Sequence, residues 1–85
     1  MANNTEFKFE IIKEVAIINE SPEPDGWDKV LTVISWNGGK PKLDIRSWNK
    51  DRTRMGKGIS LSFDEFYEMT EKYKEVDLSK YEKVW

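Results

Sequence analysis

The chain is 85 residues long, with 38% hydrophobic, 13% aromatic and 35% charged residues, which is enough for one domain with a thin core. It contains no cysteine and no histidine, so disulfide staples, thiol nucleophiles, Ser/His/Asp triads and zinc held by thiolate or imidazole are excluded. The net charge of −2 is unevenly spread: Met1–Ser35 carries −4, Trp36–Ser60 carries +5 and Leu61–Trp85 carries −3, leaving a basic centre between two acidic flanks.

The whole of 1–85 reads as a single domain, with its core at about 7–76 and an apolar tail at 77–85. A core this small, unaided by crosslinks, makes a homodimer the expected state. The polar start Met1-Ala2-Asn3-Asn4-Thr5-Glu6 has no basic or apolar leader region, and the apolar runs fall short of the roughly 20 residues that span a bilayer. Cytoplasmic residence is expected, nucleoid-associated if the source is bacterial, with no membrane partner.

In chain order, Phe7–Ile18 carries Phe, Ile and Val without Gly or Pro and predicts a long strand. Asn19–Gly26 is a loop, punctuated by Pro22, Pro24 and Asp25-Gly26. Trp27–Trp36 predicts a second strand, apolar on both parities and so central or covered on both sides. Asn37-Gly38-Gly39 signals a hairpin, because consecutive positive-φ positions favour Asn and Gly. Lys40–Trp48 alternates, with Leu43 and Ile45 on one face and Lys40, Lys42, Asp44, Arg46 and Trp48 on the other.

Asn49–Gly56 follows as a charged loop, and Lys57–Leu61 as a short fourth strand burying Ile59 and Leu61. A helix starts at Phe63, with Ser62 as N-cap, Glu65 completing a capping box, and Leu61 and Phe66 placed to staple the entry. Its apolar positions Phe63, Phe66, Tyr67, Thr70 and Tyr73 keep a helical period. The stretch Val76–Trp85, with Leu78, Tyr81, Val84 and Trp85, reads as a short packing helix.

The third strand's polar face combines what an unpaired nucleic-acid strand needs, namely cations for phosphates and flat rings for exposed bases. Lys40, Lys42, Arg46 and Trp48 lie there, beside Trp36 at the end of the preceding strand; the plainer reading of the two rings is a cross-strand core pair. The loop residues Arg52 and Arg54, with Lys57 after them, add cations that could clamp a backbone. Asp44 opposes phosphate binding and reads as a partner that orients Arg46. Trp27 and Trp85 are assigned to packing.

Nothing in the sequence places two carboxylates at one catalytic site, so no enzyme, cofactor or metal is expected. An alternative is a WW-like module binding proline-rich peptides, suggested by the 21-residue spacing of Trp27 and Trp48; it lacks the Pro expected after the second Trp and has a surplus helix.

The run Lys42-Leu43-Asp44-Ile45-Arg46-Ser47-Trp48, a charged loop, then Lys57-Gly58-Ile59-Ser60-Leu61-Ser62 and an acidic-aromatic helix resembles the transcriptional coactivator positive cofactor 4 family of single-stranded DNA binders. With Ile34-Ser35-Trp36-Asn37-Gly38-Gly39-Lys40-Pro41 ahead of it, the chain looks most like the short bacterial YdbC-like branch, over about residues 7–76. The resemblance implies an α+β fold, a four-stranded antiparallel sheet followed by one C-terminal helix, paired into a homodimer with channels for single-stranded DNA or RNA. It also implies nucleic-acid roles for Trp36, Lys40, Lys42, Arg46, Trp48 and Lys57. Lys57 would point inward by strand parity, and a bulge at Gly58 would turn it outward. The Ser- and Lys-rich regulatory segment of eukaryotic coactivators has no counterpart here, so binding is implied and a role in transcription, replication or repair is left open.

Overall fold

The structure, a computed structural model, describes residues 8–84. Four strands, β1 (Phe9–Asn19), β2 (Asp28–Trp36), β3 (Lys42–Trp48) and β4 (Met55–Leu61), precede helix α1 (Phe63–Tyr73) and a 3₁₀ helix over Leu78–Val84. The strands form one antiparallel sheet in the order β1-β2-β3-β4. This is the predicted architecture of a four-stranded sheet followed by a helix. The expected first residue of β1, Phe7, lies outside the described residues.

Local chemistry accounts for the connections. Asn37 and Gly38 take φ of 52° and 75°, and the N–H of Gly39 donates to the carbonyl of Trp36 at 2.8 Å, closing the hairpin between β2 and β3. At α1, Ser62 Oγ accepts from the N–H of Glu65 while Glu65 Oε1 accepts from the N–H of Ser62, the reciprocal capping box read from the sequence.

Sheet curvature comes from β1. Its pairing with β2 slips three times, at Ile11/Lys13, Glu14/Ala16 and Ile17/Asn19, and extra residues of this kind bend a strand and increase its twist. The sheet coils so far that Phe9 and Trp48, paired with opposite ends of β2, bring their ring centroids within 5.2 Å on one face. That concave face holds the core: Val30, Ile34 and Trp48 are fully buried, with Phe9, Ile11, Trp36 and Met55 packed around them. β2 is flanked by strands on both sides, as its doubly apolar sequence predicted.

On the convex face Leu31, Val33, Leu43, Ile45 and Leu61 are only half-buried, and Ile59, expected in the core, is 55% exposed. The reason is that the apolar alternation of β3 and β4 faces away from the concave core, and α1 touches the sheet only at β3 and β4. No residue of α1 is buried, and Phe63, Tyr67, Met69 and Tyr73 are exposed on it. The expected packing helix at the C-terminus is instead the 3₁₀ helix; among the described residues it packs on no other element, and Leu78 and Tyr81 are exposed. Trp85 lies outside the described residues.

Candidate nucleic-acid interface

Pairing across the sheet sets Trp36, Asp44, Arg46 and Ser60 on the concave face, where β2, β3 and β4 meet. Asp44 is opposite Ser60 in the β3–β4 register and is fully buried. Its carboxylate accepts two parallel bonds from Arg46, Nε to Oδ1 at 2.7 Å and Nη2 to Oδ2 at 2.8 Å, the bidentate geometry that a guanidinium makes best. Oδ2 also accepts from Ser60 Oγ at 2.7 Å, and Ser60 Oγ accepts from Trp36 Nε1 at 2.8 Å. Hydrogen bonds therefore run without a break from the indole of Trp36 to the guanidinium of Arg46.

The guanidinium also lies 4.9 Å from the centre of the Trp36 ring, within reach of a cation–π interaction. Its Nη1 donates to the carbonyl of Gly56 at 3.3 Å and approaches Met55 Sδ at 3.8 Å. Gly58, opposite Arg46, makes room for this side chain: a Cβ there would collide with Arg46 Cβ and the Ile45 carbonyl. Arg46 is thus committed inside the fold, its side chain only 15% exposed and its charge matched by Asp44. The expected orienting role of Asp44 is observed. Ser60 escaped the sequence reading; the alternation that put Asp44 on this face, extended across the β3–β4 register, would have found it.

Four other predicted cations surround this network differently. Lys40, Lys42, Arg54 and Lys57 are exposed, and their side chains have no hydrogen-bond or ion-pair partner among the described residues. Lys57 lies in a bulge between the pairs Arg46–Gly58 and Trp48–Met55, close to where a bulge was expected.

Two further predicted site residues take places inside the fold. Trp48 is fully buried, with its ring against Phe9, so no surface is left on which a base could stack. The cross-strand alternation placed it correctly on the Arg46 face, but coiling of the sheet turned that end of the face inward. Arg52 is occupied by the fold: its Nε donates to Glu14 at 2.9 Å, and its Nη1 donates to Asp28 at 3.1 Å and to the Asn49 carbonyl at 2.9 Å. Glu14, the largest contributor, raises its pKa above the ordinary arginine value.

Lys50 completes this clamp by donating to Asp28 at 2.8 Å and to the Ser21 carbonyl at 2.7 Å. Asp28, held by Lys50 first and then by the N–H of Ser21, has its pKa lowered to about 2. Part of the basic loop is therefore a structural latch onto the β1–β2 connection. Trp27 and Trp48 do not share a surface: Trp27 is 42% exposed beside Gly56 and Ser47, while Trp48 has no exposed surface.

Residues 24–72 match the model of the family described as Transcriptional Coactivator p15 (PC4), a match that spans β2 to α1 and the whole network above. The chain belongs to the PC4 family. It is a family of nucleic-acid-binding, non-enzymatic proteins, so nucleic-acid binding is the general activity that membership supports. A protein of Treponema pallidum (strain Nichols), described as uncharacterized, is 33% identical over 78 residues, covering 92% of this chain and 89% of that one.

Proposed function

We propose that this PC4-family protein binds single-stranded nucleic acid, largely without regard to sequence, as a homodimer. The observation that carries the reading is the Arg46–Asp44–Ser60–Trp36 network, which holds an aromatic ring in a fixed orientation on the sheet that also presents the exposed cations Lys40, Lys42 and Lys57. A ring whose orientation is already set loses little freedom when a base stacks on it. The lysines then neutralise phosphates on either side. Arg54, exposed on the loop before β4, extends the cationic rim.

Dimerisation is supported by exposed apolar surface outside this network. Ile12, Val15 and Ile59 of the sheet are exposed, as are Tyr67, Met69 and Tyr73 of α1, and burying such side chains against a second copy would add to a thin core. Sedimentation equilibrium should give twice the 10.1 kDa chain mass. A monomer at tens of micromolar would refute the dimer.

The binding test is a titration of oligo-dT, oligo-U and duplex DNA at several salt concentrations. Single strands should bind more tightly than duplex, with a log–log salt slope near −3 for about four neutralised phosphates at roughly 0.7 each. Duplex affinity equal to that for single strands would overturn the reading.

A further inference from the structure

A second exposed aromatic ring stands beside the β2–β3 hairpin that follows Trp36. Phe63 is the first residue of α1, and the capping box at Ser62 fixes its backbone. The residue is 52% exposed and makes no ring contact among the described residues. On sequence it belongs to the apolar helix stripe, yet only Phe66 and Thr70 of that stripe reach partial burial.

Phe63 lines a cleft of about 370 Å³ between the β2–β3 hairpin and the start of α1, together with Lys40, Pro41, Lys42, Ser62 and Asp64. That volume lies in the roughly 300–1,000 Å³ range of small-ligand sites. The cleft pairs flat apolar groups, Phe63 and Pro41, with two lysines that have no side-chain partner among the described residues. It shares Lys40 and Lys42 with the proposed interface.

We infer that this cleft receives a base of the bound single strand, stacked on Phe63, while Lys40 and Lys42 take the adjoining phosphates. Asp64 sharpens the assignment: its carboxylate repels phosphate, so the backbone belongs with the lysines and the uncharged base with the ring. A strand would then engage two rings in succession, Trp36 and Phe63, around one hairpin. The inference rests on the single-strand reading and adds a contact to it.

The test compares wild type, Phe63→Leu and Phe63→Ala on oligo-dT of about 4 to 16 nucleotides, with sedimentation of each variant alongside. Leucine keeps the apolar bulk and removes the flat ring. Both variants should lose about 5- to 150-fold in affinity for the longer oligonucleotides, the range of one base stack, with the salt slope unchanged because no charge is removed. The mass in sedimentation should stay that of wild type. An oligonucleotide carrying 2-aminopurine should show fluorescence quenching that Phe63→Leu reduces. Wild-type affinity in Phe63→Leu, or affinity lost only together with a change of mass, would overturn the assignment while leaving the single-strand reading intact. Failure of wild type to bind oligo-dT would overturn both.

Discussion

Removing Arg46 separates two roles that an arginine near a nucleic acid can play. Asp44 is fully buried, and without the guanidinium its carboxylate keeps only the hydrogen bond from Ser60 among those described. Stranding one partner of a buried pair costs about 3–5 kcal/mol, and the 15% exposure of Arg46 puts the expected value at the lower end, near 3 kcal/mol. Urea unfolding of Arg46→Ala, Asp44→Asn and the double variant should show this loss for Arg46→Ala. The two single losses should exceed the double by on the order of 2 kcal/mol, because the pair acts as a unit.

Binding is read with Arg46→Lys, which keeps the charge but cannot make the bidentate fork. It should weaken oligo-dT binding, since Trp36 loses the group packed against its ring, yet leave the salt slope at the wild-type value. Lys42→Ala should make the slope shallower by roughly 0.7. If Arg46→Ala unfolds no more readily than wild type and loses the same 0.7 as Lys42→Ala, Arg46 is a phosphate contact and the positioning argument is wrong.

Trp48→Ala should cost about 3–5 kcal/mol of stability in urea unfolding, as for a large buried aromatic. Trp48→Phe should cost much less, because the buried Nε1 of Trp48 has no hydrogen-bond partner among the described residues; equal losses would show that the indole N–H matters. Ser60→Ala leaves both Trp36 Nε1 and Asp44 short of a partner, so it should weaken oligo-dT binding by several-fold with an unchanged salt slope, and Ser60→Thr should restore it; failure of that rescue would argue against the relay. Asp28 is depressed from 3.8 to about 2 in the fold, so its stabilising contribution is complete above about pH 4 and disappears as the pH falls through 2. Melting temperature measured across that window should fall less steeply in Asp28→Asn than in wild type, and parallel curves would remove Asp28 from the latch.

The parts of this protein legible in its sequence are those set by neighbouring residues. Asn37-Gly38 dictates the hairpin because its backbone needs positive φ at two consecutive positions, and Ser62 with Glu65 dictates the helix start because two side chains three residues apart satisfy each other's backbone. Alternation along Lys42–Trp48 placed Asp44, Arg46 and Trp48 on one face, and that held. Alternation distinguishes two faces of a strand, but it does not say which of them the sheet will curl around. That was decided by the three slips of β1 against β2, which coil the sheet over the Arg46 face, bury Trp48 against Phe9 and leave Ile59 outside. Arg52 shows the same limit in charge: its partners Glu14 of β1 and Asp28 of β2 stand 38 and 24 residues away, brought to it only when the β3–β4 loop folds against those two strands. A count of local cations sees a clamp for phosphates, whereas long-range pairing had already spent that arginine on the fold.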